Sequence, residues 1–231
     1  MTDIVKMVIE LVNGTDLAKV TRKFTDNSED IKWISLLDMV RILEDSTVGE
    51  SYMEIGELPF GYVRGAKDVM DPSTFLIVLK YPAEKRILTY YDEEMLVPFP
   101  ELLFEFMVTK GKIMMSNVFA IIHEQGKDFL ANYPFGNVHA GGAVCWGRNV
   151  LPVINNMKEI ELVIGLFFGS ITNNDLYTVG MNVKKTKGFV NQKGLLLALE
   201  GKVTFPQKWL VKWMDRTVSD EITCFFEQNM K

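Results

Sequence analysis

Only two cysteines, Cys145 and Cys224, and two histidines, His123 and His139, occur in the 231 residues. Two thiols in a chain of this length make no disulfide framework. A four-ligand zinc site would have to use every Cys and His, and the short ligand spacings of zinc motifs are absent. No residue pattern calls for a metal or a cofactor. No apolar run reaches the roughly 18 residues of a membrane-spanning helix. The first 16 residues meet a polar residue after every two or three apolar ones, so they lack the unbroken apolar core of a secretory signal and read as a strand. Repeats, low-complexity tracts and Pro/Ser-rich linkers are missing too, which leaves no marked domain boundary. A cytoplasmic protein is expected.

What is present is the composition of an ordinary globular protein, 48% apolar and 24% charged, in a length that one core can organise. One domain over 1–231 is expected, with a core over about 30–172, an N-terminal extension over 1–29 and a C-terminal extension over 173–231. The net charge is −5, with Lys and Arg scattered. Such a surface has no general attraction for phosphate backbones or anionic lipid, so neither nucleic acid nor membrane is an expected partner.

Leu36, Met39, Val40 and Leu43 repeat at helical spacing, which predicts a helix over Ser35 to Glu44 with Ser28 and Asp30 as nearby caps. Four apolar, β-branched or aromatic segments follow: Thr74 to Tyr81, Arg86 to Tyr91, Pro100 to Thr109 and Ile113 to Ile122. Short Gly- or Pro-bearing turns link them, which predicts a four-stranded antiparallel meander. In the third segment Glu101 and Glu105 alternate with Leu102, Phe104 and Phe106, so one face of that strand is expected to be wetter. Ile160, Val163, Ile164, Phe167 and Phe168 form a core-facing stripe over Lys158 to Gly169. Further helices are predicted from Pro206, packing Trp209, Leu210 and Trp213, and after Ser219, with Asp220 and Glu221 against its N-terminal dipole. The order is α+β. Glu44 to Gly56 and Asn182 to Gly194 are the softest stretches.

Residues 133–147 read Tyr-Pro-Phe-Gly-Asn-Val-His-Ala-Gly-Gly-Ala-Val-Cys-Trp-Gly, a glycine density that marks a structured loop. Here the chain resembles the ubiquitin-conjugating enzymes. Those carry His-Pro-Asn after the last meander strand and a catalytic cysteine eight positions beyond the asparagine, ending a Gly-x-[Ile/Val]-Cys run. Asn137 and Cys145 stand eight apart, and Gly142 and Val144 fill the matching positions. The likeness is closer to one bacterial branch, the prokaryotic conjugating-enzyme family D that includes PRTRC system protein B. Its elements appear as Val97-Pro98-Phe99-Pro100, as Asn137-Val138 through Cys145-Trp146-Gly147, and as Phe167-Phe168-Gly169-Ser170-Ile171-Thr172. The likeness spans about Leu58 to Thr172, roughly half the chain. Two departures stand out. Phe135 and Gly136 occupy the His-Pro positions, where the His is considered mainly structural, and Asn173 stands where the family has a His after its Phe-Thr element.

The resemblance implies a fold like that of the ubiquitin-conjugating (UBC) enzymes and a cysteine that carries a ubiquitin-like protein as a thioester before passing it to an amine. It implies as partners a ThiF-type activating enzyme, a small ubiquitin-like protein and an acceptor protein with a lysine. The PRTRC cassette of mobile elements adds a JAB-type peptidase. A thiol suits this chemistry, because exchange between thiols of similar pKa is nearly isoenergetic and the few per cent of thiolate present near neutrality suffices. Cys145 is the nucleophile implied; the bland alternative is a buried cysteine acting as a small hydrophobe. Asn137 corresponds to the motif asparagine, an oxyanion donor or loop support, and otherwise is a turn residue. His139 reads either as a base for a cysteine hydrolase or as a solvated loop residue. Asn173, Asn174 and Asp175 are auxiliary candidates in place of the absent His. Trp146 either shields the thioester or packs, and Cys224 reads as structural. The rival from another class is a non-catalytic adaptor that binds a ubiquitin-like partner through the same fold.

Overall fold

The computed structural model describes residues 4–11, 17–35, 37–38, 57–68, 71, 73–185 and 189–230. The chain divides into two compact units, Met1–Ile55 and Gly56–Lys231. The first holds an antiparallel sheet of β1 (Ile4–Leu11), β2 (Leu17–Phe24) and β3 (Glu29–Ser35), in that order. The helix expected over Ser35 to Glu44 falls largely outside the described residues; Leu37 and Asp38 are helical. Its expected caps are corrected. Ser28 sits in the β2–β3 turn and Asp30 lies in β3 paired with Arg22, while the Asp38 N–H donates to Ser35 Oγ at 3.0 Å.

The second unit is built on a six-stranded antiparallel sheet. Its strands are β4 (Tyr62–Lys67), β5 (Phe75–Tyr81), β8 (Leu102–Thr109), β9 (Lys112–Glu124), β10 (Lys127–Ala131) and β11 (Lys212–Thr217), in the order β11-β10-β9-β8-β5-β4. The expected meander is corrected here. Segment Arg86 to Tyr91 is β6 (Lys85–Tyr90), and it pairs with β7 (Glu93–Pro98), a strand read as turn from its prolines. That hairpin stands apart from the sheet. β5 therefore passes over it to pair with β8, with Phe75 opposite Val108 and Tyr81 opposite Leu102. Because β6 pairs with β7 and not with β5, the edge of β5 is left open, and a buried strand cannot leave its ladder groups unpaired.

Both faces of this sheet are covered. One packs Ile77, Leu79, Phe104 and Val118 against α1 (Ile160–Gly169), whose Ile160, Val163, Ile164 and Phe167 are buried as their spacing predicts. The Phe104 and Phe167 rings meet edge to face at 5.3 Å. The other face packs Val78, Leu103, Phe119 and Ile121 against α3 (Val218–Asn229), through Val218, Phe225 and Phe226. Thr217 and Asp220 cap α3 reciprocally, a capping box. Because α3 lies over β8, the wet face expected for that strand does not exist. Glu105 is fully buried, and burial pushes its carboxyl up to about 8, with Asn117 as its hydrogen-bond donor.

The α-helix expected from Pro206 is likewise corrected. Gln207–Trp209 is one 3-10 turn, after which β11 closes the free edge of β10 and sets the Trp213 ring 4.7 Å from Phe119. A helix not expected from the sequence, α2 (Gln192–Leu199), starts at the end of the stretch read as soft, with Asn191 Oδ1 accepting from the Gly194 N–H. Among the described residues no helix is long and apolar enough to cross a membrane.

Candidate active site

After β10 the chain enters the glycine-rich loop and builds a miniature hairpin. Val138 bridges Val144, the His139 N–H donates to the Ala143 carbonyl at 2.8 Å, and the Gly142 N–H donates to the His139 carbonyl at 3.1 Å. The loop lies along the first half of β9, with the Val144 N–H on the Ser116 carbonyl and the Val118 N–H on the Gly142 carbonyl. The glycines answer steric needs. Gly142 has φ +94°, and a Cβ there would stand 2.5 Å from the Phe119 ring. At the base of the hairpin the Cys145 N–H donates to the Asn137 carbonyl at 2.7 Å. Asn137 holds φ +67°, a left-handed conformation that Asn adopts more readily than most side chains.

Cys145 is half-buried and lines a groove of about 430 Å³. The opposite wall comes from the end of α1 and the segment after it. Ser170 Oγ donates to the Leu166 carbonyl at 2.6 Å and accepts from Asn149 Nδ2 at 2.9 Å. Asn137 Nδ2 donates to the Ile171 carbonyl at 2.7 Å, tying the two walls together. Asn173 and Asp175 form a local turn, with the Asp175 N–H on Asn173 Oδ1 at 2.8 Å and Asn173 Nδ2 on Asp175 Oδ2 at 2.9 Å. Charged side chains in the groove are Arg148 and Asp175, one of each sign.

Cys145, Asn137, Trp146, Asn173 and Asp175 thus line one groove. Trp146 also packs inward, its Nε1 donating to Ser116 Oγ at 2.9 Å and its ring 6.3 Å from Phe167. Asn174 turns away to donate to the Tyr90 hydroxyl at 2.8 Å. His139 is exposed in the hairpin turn and does not line the groove, whose described wall carries no histidine. Cys224 sits on α3 and accepts from Arg216 Nη2 at 3.4 Å. Among the described residues no group of three or more His, Cys, Asp or Glu side chains is placed to hold a metal ion.

The three sequence motifs converge behind the groove. The Phe99 ring lies 4.7 Å from Phe135 and 5.7 Å from Phe168. Phe135, in the His position of the resembling motif, is fully buried in that cluster. Gly136, in the Pro position, has no room for a side chain, since a Cβ would stand 2.5 Å from both the Asn173 carbonyl and Thr172 Oγ1. Two buried amides that sequence reasoning missed support the loop. Asn182 Nδ2 donates to the Tyr133 and Phe135 carbonyls at 3.0 and 3.1 Å, and Gln192 Oε1 accepts from the Gly136 N–H at 2.9 Å. Neither carries a signal in a single sequence, because a polar residue in a polar stretch looks solvated until the fold buries it.

A mostly stranded mixed α/β fold, with a cysteine-bearing loop between the central sheet and the helix behind it, is consistent with an E2-like protein. The chain belongs to prokaryotic E2 family D, whose model matches residues 67–213, nearly two thirds of its length. The match contains the whole groove, while β1 to β3 and α3 lie outside it. No curated protein and no solved structure matches the chain.

Proposed function

We propose that this chain accepts a ubiquitin-like protein from an activating enzyme as a Cys145 thioester and transfers it to an amine. In the first step the Cys145 thiolate attacks the thioester carbonyl on the activating enzyme, a new C–S bond forms, and the donor's thiolate leaves. In the second, an acceptor amine attacks, an amide forms, the Cys145 thiolate departs, and one proton is released to solvent. The oxyanion of the tetrahedral intermediate formed when the amine attacks needs a hydrogen-bond donor. Asn137 supplies the candidate, because its Nδ2 carries two hydrogens and Ile171 takes one. Asp175 is the candidate for attracting an incoming ammonium group. The single observation that carries this reading is the Cys145 to Asn137 bond, which sets thiol and amide on one groove.

Family membership implies ubiquitin-like and activating partners in general. A ThiF-type enzyme, a small ubiquitin-like protein, a lysine acceptor, and a JAB-type peptidase in a PRTRC cassette of a mobile element are the finer reading, in the cytoplasm, where thiols stay reduced. The adaptor reading draws on Phe135 and Gly136, which replace the His-Pro of the conjugating-enzyme motif. The test is to mix the protein with cognate activating enzyme, ubiquitin-like protein and ATP. The wild type should form an adduct that thiol reductant removes. Cys145→Ser should give a reductant-resistant adduct or none, and Cys224→Ser should leave the adduct intact. His139→Ala should also load, whereas a hydrolase base would be needed for any acyl-enzyme. An adduct that survives Cys145→Ala would overturn Cys145 as its carrier, and partner binding with no adduct would leave the adaptor standing.

A further inference from the structure

Gln192 stands at the start of α2, outside the groove, and is fully inaccessible to solvent. Its side-chain amide faces both loops that wall the groove. Oε1 accepts from the Gly136 N–H at 2.9 Å, and Nε2 donates to Thr172 Oγ1 at 3.0 Å. Its own N–H donates to Asn174 Oδ1 at 3.2 Å. Thr172 is itself anchored, its N–H on the Thr89 carbonyl at 2.8 Å and its carbonyl accepting from the Tyr91 N–H at 3.0 Å. Next along one loop from Gly136 is Asn137, and next along the other from Thr172 is Ile171, the pair joined by the Asn137 Nδ2 bond.

We propose that Gln192 is the positioning residue of this site, its buried amide clamping the Gly136–Asn137 wall to the Ile171–Thr172 wall so that Asn137 is held for the transfer step. The inference rests on the thioester reading above. The chemistry asks for an amide in particular. One end must accept and the other donate, which an ionised carboxylate cannot do. The close fit at Gly136 leaves no slack, since a Cβ there would meet Gln192 Oε1 at 2.8 Å as well as the Thr172 hydroxyl. Without the amide, the Gly136 N–H becomes a buried donor with no partner, a state the loop would escape by moving. Asn137 moves with it.

The experiment measures loading of Cys145 and, separately, single-turnover discharge of the preformed thioester to free lysine. Gln192→Met, an apolar side chain of similar length, should load within about threefold of the wild type and discharge about tenfold or more slowly. Thr172→Val should share that defect, and Thr172→Ser, which keeps the hydroxyl, should recover most of it. A residue acting through Asn137 has little left to lose once that side chain is gone. Adding Gln192→Met to Asn137→Gly should therefore slow discharge by less than about twofold. Discharge of Gln192→Met within about twofold of the wild type, or an equal further loss in the Asn137→Gly background, would overturn the positioning role alone. A wild type that never loads would overturn the transfer reading and this role with it. Should Gln192→Met not fold, Thr172→Val answers to the same criteria.

Discussion

The backbone N–H of Cys145 donates to the carbonyl oxygen of Asn137 at 2.7 Å, closing a turn whose two ends, eight residues apart, face the same groove. The backbone of Asn137 therefore serves Cys145 while its side chain serves the opposite wall, through the Ile171 carbonyl. The two functions can be separated by substitution.

Asn137→Gly deletes the amide and keeps easy access to φ +67°, whereas Asn137→Ala adds left-handed strain of roughly 1–2 kcal/mol. Both should slow discharge to lysine on the order of a hundredfold, the loss typical of an oxyanion donor. Both lose the bond to the Ile171 carbonyl, so Asn137→Ala should lower stability further than Asn137→Gly by that strain, read by denaturant melts. Discharge by Asn137→Gly at the wild-type rate would remove the amide from the chemistry.

Gly141 and Gly142 are both left-handed, at φ +92° and +94°, yet their surroundings differ. A Cβ on Gly141 enters open space, while one on Gly142 strikes the Phe119 ring at 2.5 Å. Gly141→Ala should cost only backbone strain, about 1 kcal/mol. Gly142→Ala adds overpacking of typically 1–3 kcal/mol, and should also impair loading because the hairpin that carries Cys145 is levered off β9. Equal melting temperatures for the two variants would contradict this.

Glu105 gives the fold a pH dependence of definite sign. Burial raises its carboxyl from 4.5 to about 8 against the lowering effect of Asn117, with Glu221 adding to the rise and Arg216 opposing it. Below about pH 4.5 both folded and unfolded chains hold the proton, and the group contributes nothing. Between 4.5 and 8 the unfolded chain releases a proton that the folded chain keeps, so stability falls as pH rises. Above 8 the penalty is constant. Asp128 and Glu101 raise the pKa of His123, which adds a slope of the same sign near neutrality. Glu105→Gln should remove the carboxyl's share alone, gaining on the order of a few kcal/mol over the wild type at pH 8 and almost nothing at pH 5. Parallel stability curves for the two proteins would show that Glu105 is ionised in the fold.

The parts of this protein legible without its structure are those set within a few residues. The apolar stripe of α1 follows from a 3.6-residue period, and the loop at Gly141 and Gly142 from a φ that few other residues tolerate. The eight-residue spacing from Asn137 to Cys145 suffices to bring the two together, because one short turn spans it. Partner choice and covering are different in kind. Nothing near β5 says that it pairs with β8 across the β6–β7 hairpin, and nothing near Glu105 says that α3, more than a hundred residues later, will bury it. Gln192 looks like a solvated residue in a soft stretch until the fold sets it beneath Gly136 and Thr172. Local sequence determines a segment's shape through sterics and periodicity; which segment satisfies another's hydrogen bonds and covers its apolar face is decided only when the whole chain competes for them.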